Sequence, residues 1–146
     1  GRKINENMSK YIVDSIIERL KNISLNPRDA RVAVLGVTFK ENCPDIRNSK
    51  VFNLIDHLKK ERCDVIVNDP WVDENELQNS SELQLVKMDK IKNVDVLVLA
   101  VSHDEYRGIK ADEWKNMFNS NGIFIDIKSI YKQDFFQKSK IDYWSL

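Results

Sequence analysis

Three short and nearly uninterrupted apolar runs constrain the fold of this chain more than any other feature. They lie at residues 32–37, 63–69 and 95–101. A strand with one face in water alternates apolar and polar side chains, whereas a parallel strand buried on both faces is continuously apolar. Helical spacing of apolar residues marks the segments 5–22, 49–62 and 111–119. The pattern predicts an α/β fold, a Rossmann-like three-layer sandwich with a mainly parallel sheet.

Weaker signals complete the prediction. Residues 83–86 are predicted as a short edge strand and residues 89–93 as a helical turn. Asn121 and Gly122 predict a turn that leads into a last strand at residues 123–127. The tail after residue 132 is rich in aromatic side chains, so we expect it to be ordered.

The charge balance excludes several classes of protein. Lys and Arg together number 23, as do Asp and Glu, and this zero net charge argues against a general nucleic-acid binder. No apolar run approaches the roughly 20 residues of a membrane span. Cys43 and Cys63 fit neither a metal motif nor a disulfide framework. We therefore expect a cytoplasmic protein without a membrane or nucleic-acid partner.

Polar side chains follow the predicted strands at the edge where open α/β sheets bind their ligands. They are Thr38, Lys40, Asp45 and Arg47, then Asp69, then Ser102, His103 and Asp104, and finally Lys128. Three of them are cations that suit a phosphate or diphosphate. Gly36 begins the first loop and no second glycine follows, so the dinucleotide-binding fingerprint is absent. We expect an anion at this edge to be held largely by side chains.

Each of these residues also has a simpler structural interpretation. Lys40 and Lys128 are equally explained as solvated loop charges, and Arg47 as the partner of Asp45. Asp69, just before a proline, is typical of a turn cap. These alternatives stay open at the level of sequence.

Two further candidates are weaker. His103 is more typical of a hydrogen-bonded loop histidine than of a ligand contact. Cys43 has no histidine beside it in sequence, so we interpret it as structural and not as a nucleophile. No acid–base pair for complete catalysis is evident, and we assign neither a catalytic residue nor a metal ligand. The residues alone predict an anion-binding α/β domain.

Residues 36–49 closely resemble the signature that opens the C-terminal domain of the UDP-glucose/GDP-mannose dehydrogenase family. Its shared core is Phe-Lys followed by Asp-x-Arg-x-Ser, here Phe39 to Ser49. Residues 41–48 are similar to the bacterial branch that oxidises UDP-N-acetylhexosamines for capsule or O-antigen synthesis. Residues 1–5, 68–70 and 126–128 are similar to other segments of the family. The resemblance extends over nearly the whole chain.

The resemblance implies a function in a larger enzyme. Family enzymes use two NAD molecules to oxidise the C6 alcohol of a nucleotide sugar to a carboxylate, through a thiohemiacetal on a catalytic cysteine. It implies that NAD binds mainly to an N-terminal domain, and that the NAD fingerprint and this cysteine precede residue 1. We therefore expect this chain to bind a UDP-sugar without catalysing by itself. A homodimer is expected by the same resemblance.

The family pattern also implies roles for individual residues. Phe39 and Lys40 would contact the nucleotide sugar, and Lys128 would take a place often held by arginine. Arg47 would reach towards the NAD pyrophosphate. Arg2 would serve the substrate of a neighbouring subunit. Lysine keeps the positive charge at position 128 but lacks the bidentate fork of arginine.

The resemblance divides the chain into two parts. Residues 1–25 would be the end of a central helical region that mediates dimerisation, and residues 26–146 a Rossmann-like domain that binds the nucleotide sugar. A purely structural dimerisation module is an alternative, because the first helix is apolar on one side. We expect that helix to be cut from something longer, because no strand precedes it.

A different class of function competes with this interpretation. Asp69, Ser102 and Lys128 at successive strand ends resemble the phospho-acceptor Asp, the hydroxyl residue and the Lys of response-regulator receivers. Receivers also need an acidic pair after the first strand to hold magnesium, and that place holds Gly36 and two uncharged residues. The receiver interpretation is therefore the weaker alternative.

Overall fold

The computed structural model describes residues 5–146. Within that range, five strands form one fully parallel sheet in the order β2-β1-β3-β4-β5. The strands are β1 (Arg31–Leu35), β2 (Asp64–Asn68), β3 (Val94–Leu99), β4 (Phe118–Asp126) and β5 (Asp142–Ser145). The helices are α1 (Glu6–Asn22), α2 (Val51–Lys60), α3 (Glu74–Ser80), α4 (Asp104–Arg107) and α5 (Ala111–Lys115), with 3₁₀ turns at Pro27–Asp29 and Met88–Lys90. The predicted three-layer α/β fold is confirmed.

Alternate residues of the central strands face opposite layers, as the two-residue repeat of a strand requires. Val32 and Val34 belong to the core beneath α1 and α2. Ala33 and Leu35 belong to the core on the other side, which is rich in aromatic side chains. β1 pairs with both β2 and β3, so it is an interior strand of the sheet, next to the central strand β3.

Helix α1 packs onto the sheet layer of this chain. Its first turn is capped by Asn5, whose side chain accepts a hydrogen bond of 2.9 Å from the Met8 N–H. Ile12, Ile16 and Leu20 on its inner face have no exposed surface. A contact through α1 with a second copy would therefore use the outer face, where Tyr11 is 56% exposed. No helix in residues 5–146 is long and apolar enough to cross a bilayer.

The predicted turn at Asn121 and Gly122 is wrong, because β4 runs from Phe118 to Asp126 and includes both. The pairing register between β3 and β4 shifts here, so extra residues of β4 bulge from the ladder. A Cβ on Gly122 would lie 2.5 Å from the Phe118 ring. This glycine therefore leaves room for an aromatic ring and does not make a hairpin turn.

Other boundaries also differ from the prediction. The edge strand at residues 83–86 is reduced to one parallel bridge between Val67 and Leu85. The polar segment before it forms α3, whose N-cap Asp73 accepts from two backbone N–H groups. The helix predicted at 111–119 ends at Lys115, and β5 in the aromatic tail was not predicted.

Candidate functional site

The carboxyl edge of the sheet, where β1 to β4 end, is shaped first by Gly36. Its φ of +91° lies in the left-handed region, which favours glycine. A Cβ there would lie 2.5 Å from the Cβ of Val101, so no side chain fits. From this point the β1–α2 loop, residues 36–50, crosses the end of β3. The Phe39 N–H donates to the Asp45 carbonyl at 2.7 Å and closes the loop on itself.

The carboxylate of Asp69, directly after β2, organises this edge. Its Oδ2 accepts hydrogen bonds from the backbone N–H groups of Val37 (2.8 Å) and Thr38 (3.2 Å). Its Oδ1 accepts from those of Trp71 (2.8 Å) and Val72 (3.0 Å). Backbone N–H groups after the first strand of such sheets commonly bind a ligand phosphate. Here the N–H groups of Val37 and Thr38 donate instead to the carboxylate of Asp69.

Asp69 is only 6% exposed, and it remains a buried anion. Burial acts to raise the pKa of this carboxyl, but the hydrogen bonds from His103 and the Val37 N–H outweigh burial and lower the pKa below its ordinary value. The predicted turn-capping role of Asp69 is confirmed by its bonds to Trp71 and Val72. A phospho-acceptor needs an accessible oxygen, so this geometry does not suit a receiver.

His103 links the loop after β3 to the β1–α2 loop. The side chain has no exposed surface. Its Nδ1 accepts a hydrogen bond from the Asn42 N–H at 2.9 Å, and its Nε2 lies 3.0 Å from Asp69 Oδ2. An accepting Nδ1 and a carboxylate at Nε2 together assign the neutral Nε2–H tautomer. The prediction of a hydrogen-bonded loop histidine is confirmed.

The two predicted cations of the β1–α2 loop have different surroundings. The Arg47 side chain is 81% exposed, and its guanidinium donates to both oxygens of Asp45, at 3.0 and 3.1 Å. The hydrogen bonds from Arg47 lower the pKa of the Asp45 carboxyl. The predicted Arg47–Asp45 pair is therefore present. Lys40 is exposed on the outer part of the loop.

Lys128 follows β4 at the same edge and is half-buried. The Ile127 N–H before it donates to the Leu99 carbonyl at 3.1 Å, which ties this segment to the end of β3. Burial lowers the pKa of the Lys128 ammonium, and the Glu41 carboxylate of the β1–α2 loop opposes this shift. The loop carrying Lys40 and the segment carrying Lys128 both follow parallel strands, so they lie at the same edge of the sheet.

Two aromatic side chains are exposed at this edge, and sequence reasoning identified one of them. Phe39 is 42% exposed and Trp71 is 37% exposed. The Trp71 indole stacks on the His103 ring at 6.3 Å, and its N–H donates to Glu105 at 2.9 Å. The only signal for Trp71 was its place after a buried strand, beside the proline that ends it.

A buried polar cluster at the end of β4 was also missed. Oδ2 of Asp126 accepts from the Tyr143 hydroxyl at 2.6 Å and from the Tyr131 N–H at 3.2 Å. Burial, followed by the hydrogen bond to Asp126, raises the pKa of the Tyr143 phenol. This cluster anchors the aromatic tail beneath the segment that carries Lys128. An acidic residue closing an apolar strand was the available signal.

A cavity of about 490 Å³ lies beyond the ends of β2 and β3. Asp69 contributes to its wall, as do the apolar side chains of Leu85, Val86, Met88 and Ile109. Neither Lys40 nor Lys128 lines this cavity, so it is separate from the cationic surface that they form.

The remaining predicted residues add no chemistry to this edge. Cys43 is half-buried, and burial raises the pKa of the Cys63 thiol to about 11. Over residues 5–146, no group of three or more His, Cys, Asp or Glu side chains is placed to hold a metal ion. Arg2 lies outside the described residues.

Comparison with known protein families identifies the family of this chain. A family model described as the UDP binding domain of the UDP-glucose/GDP-mannose dehydrogenase family matches residues 33–133. The chain belongs to the UDP-glucose/GDP-mannose dehydrogenase family. The resemblance carried by residues 36–49 is thereby confirmed, and the matched range contains Phe39, Lys40 and Lys128.

Two curated family members show how much of a whole protein this chain represents. It is 44% identical over 134 residues to Protein CapL of Staphylococcus aureus, covering 92% of this chain and 31% of CapL. It is 31% identical over 130 residues to a UDP-N-acetyl-D-glucosamine 6-dehydrogenase of Salmonella typhi, covering 89% of this chain and 31% of that protein. The chain spans 31% of the length of both relatives.

Solved structures support the fold. The NDP-N-acetyl-D-galactosaminuronic acid dehydrogenase from Methanosarcina mazei Go1 superposes with a TM-score of 0.84 and 24% identity. The superposition covers 97% of this chain and 29% of that one. At this identity the likeness concerns the fold alone.

The residues present do not fit an NAD pyrophosphate in the usual manner. In a dinucleotide-binding sheet, a glycine-rich loop exposes backbone N–H groups to the pyrophosphate. Here the N–H groups of Val37 and Thr38 are bonded to Asp69. The loop between Gly36 and α2 contains no further glycine. An anion at this edge must therefore be bound mainly by side chains.

Proposed function

We propose that this chain binds the UDP portion of a nucleotide sugar within an NAD-dependent 6-dehydrogenase. The observation that carries the proposal is the carboxyl edge of a chain whose family match is the UDP binding domain. Because β1, β3 and β4 are parallel, the β1–α2 loop and the segment after β4 lie at this same edge of the sheet. Lys40 and Lys128 would bind the diphosphate, and the exposed ring of Phe39 would contact the nucleotide.

The occupied backbone N–H groups support a side-chain mode of binding. Asp69 takes the N–H groups of Val37 and Thr38, which would otherwise bind phosphate. Ammonium groups pair with phosphate oxygens without requiring a glycine-rich loop. Lys40 and Lys128 supply such groups on either side of the edge. The chemistry of this edge therefore favours a nucleoside diphosphate held by lysines.

For the whole enzyme, we propose oxidation of the C6 alcohol of a UDP-N-acetylhexosamine to a carboxylate for surface polysaccharide synthesis. The similarity to a UDP-N-acetyl-D-glucosamine 6-dehydrogenase supports this substrate class. NAD would bind mainly to a part of the enzyme outside these residues, with Arg47 reaching its pyrophosphate. The exposure of the Arg47 side chain leaves it accessible for that contact.

The domain organisation remains part of the proposal. Residues 1–25 would be the end of a central helical region, and residues 26–146 the UDP-binding domain. The enzyme would act as a homodimer, with Arg2 serving the partner's substrate. The chain alone would bind UDP without catalysing oxidation.

Calorimetric titration of the chain with UDP tests the proposal. Losing one charge-assisted contact costs roughly 1.5–3 kcal/mol, or about ten- to a hundredfold in affinity. We expect this loss for Lys40→Ala and for Lys128→Ala. Lys60→Ala is the matched control, because exposed Lys60 ends α2 at the opposite edge of the sheet. We expect it to bind UDP like the unaltered chain.

Two results would contradict the proposal. One is an absence of UDP binding by the unaltered chain. The other is equal affinity in the variants of Lys40, Lys128 and Lys60. A parallel titration with NAD is expected to give much weaker binding, because the backbone N–H groups near Gly36 are occupied by Asp69.

A further inference from the structure

Two hydrogen bonds within the β1–α2 loop lie around Phe39 and Lys40: the Phe39 N–H donates to the Asp45 carbonyl at 2.7 Å, and the Thr38 hydroxyl donates to the Lys40 carbonyl at 3.1 Å. Residues 39–42 are exposed and belong to no helix or strand. Asn42 has a φ of +56°, a left-handed conformation that Asn tolerates better than most residues. A left-handed residue of this kind persists only when the surrounding structure holds it in place.

His103 supplies such a contact from the segment that follows β3, the strand next to β1. The Asn42 N–H donates to Nδ1 at 2.9 Å, and the Thr38 hydroxyl lies 3.2 Å from Nε2. These two partners flank Phe39 and Lys40 in sequence. Asn42 is held a second time, because its Oδ1 accepts from the Asp104 N–H at 3.0 Å.

We infer that His103 is a positioning residue that holds the β1–α2 loop in the shape that presents Phe39 and Lys40 to the nucleotide. The inference rests on the proposed function for its effect on UDP. The contact requires an unprotonated Nδ1, since this nitrogen accepts from Asn42. Asp69 favours that tautomer by accepting from Nε2. The buried His103–Asp69 pair thus helps to fix the shape of a loop that lacks a glycine-rich fingerprint.

Two conservative substitutions separate the two sides of the imidazole. In His103→Asn, the side-chain oxygen replaces Nδ1 and can accept from the Asn42 N–H. In His103→Gln, the amide nitrogen replaces Nε2 and can donate to Asp69, which leaves the Asn42 N–H unpaired. His103→Ala removes both hydrogen bonds, the one to the Asn42 N–H and the one to Asp69.

Tyr106→Phe is the matched control for lost buried hydrogen bonds. Tyr106 lies in α4, the short helix whose N-cap is His103, and is fully buried. Its hydroxyl donates to Asn68, at 2.9 Å to the carbonyl and at 2.7 Å to the side chain, and it also interacts with the backbone of Gly36, before the segment 39–48 whose exchange is measured. This variant should lower stability and leave UDP affinity unchanged.

Amide hydrogen exchange and UDP titration together test the inference. We expect His103→Gln and His103→Ala to accelerate exchange across residues 39–48 and to weaken UDP binding about five- to tenfold, the worth of one hydrogen bond. His103→Asn should keep slow exchange and restore most of the affinity. Unchanged loop exchange and UDP affinity in His103→Gln would overturn the inference, as would equal weakening by Tyr106→Phe.

The readouts also separate this inference from the proposed function. If the unaltered chain fails to bind UDP, the proposed function is refuted. The exchange of residues 39–48 in the His103 variants then still decides whether His103 fixes the loop. Binding of UDP by the unaltered chain with no effect of His103→Gln or His103→Ala refutes the positioning role alone.

Discussion

Replacement of Asp69 by Asn tests the view that a buried carboxylate organises the carboxyl edge. The carboxylate accepts from the backbone N–H groups of Val37, Thr38, Trp71 and Val72, and pairs with His103 through Nε2. An asparagine of the same shape offers one oxygen and one NH₂ group. In its best orientation, the oxygen keeps the three donors at Oδ2. The NH₂ group then faces the two donors at Oδ1.

The expected loss of stability follows from these two donors. Each N–H left without an acceptor away from water costs about 1–3 kcal/mol. The Asp69→Asn variant should therefore be destabilised by roughly 2–6 kcal/mol, a large part of the ~5–15 kcal/mol that holds a domain of this size together. The opposite orientation of the amide loses three donors and costs more.

Urea unfolding followed by tryptophan fluorescence measures this loss. Trp71 reports on the site directly, because its ring stacks on His103. Asp56→Asn is the matched control, since Asp56 is exposed on α2 and should unfold like the unaltered chain. An Asp69→Asn variant within about 0.5 kcal/mol of the unaltered chain would refute the central role of this carboxylate.

The stability of the Asp69→Asn variant should also depend less on acidic pH than that of the unaltered chain. The pKa of Asp69 is lowered by folding from an ordinary value of 3.8. Its contribution is therefore complete above about pH 4 and is lost as the pH falls through the folded value. Between pH 5 and pH 2 the unaltered chain should lose stability more steeply than Asp69→Asn. Parallel slopes in acid unfolding would contradict this account.

Two further predictions concern packing and thiol chemistry. Gly36→Ala forces a Cβ into Val101 at a φ of +91° and should cost roughly 2–4 kcal/mol in urea unfolding, whereas Gly108→Ala, with open space around it, should be nearly neutral. Equal stability of these two variants would contradict the crowding at Gly36. A thiol reagent should label half-buried Cys43 first in the native state, because Cys63 is buried with a pKa of about 11. Rapid labelling of both cysteines would count against the described burial.

The fold was predictable because apolar periodicity is a local property of the sequence. The runs that became β1, β2 and β3 are buried on both faces, and such strands carry a clear signal. The bulge of β4 was not predictable, because Gly122 is small to accommodate the Phe118 ring and not to make a turn. β5 was missed because its residues are partly buried and lack a continuous apolar run.

The site was predictable only as a set of strand ends. Topology brings residues after parallel strands to one edge, so the predicted convergence of the β1–α2 loop with Lys128 could be read from their positions. The hydrogen bonds that Asp69 accepts and the hydrogen bond between Asn42 and His103 join residues that are about 30 to 60 positions apart in the sequence. No local pattern encodes those contacts. The family motif supplied roles that spacing alone did not.

Mapping UDP onto the chain by backbone amide chemical shifts tests the central claim most directly. We predict that UDP shifts amides within residues 37–48 and 126–130, where Lys40 and Lys128 lie. Shifts confined to the cavity lined by Leu85 and Met88, or to the outer face of α1, would contradict the assignment of the site. An absence of shifts at saturating UDP would contradict the proposal that this chain binds the nucleotide.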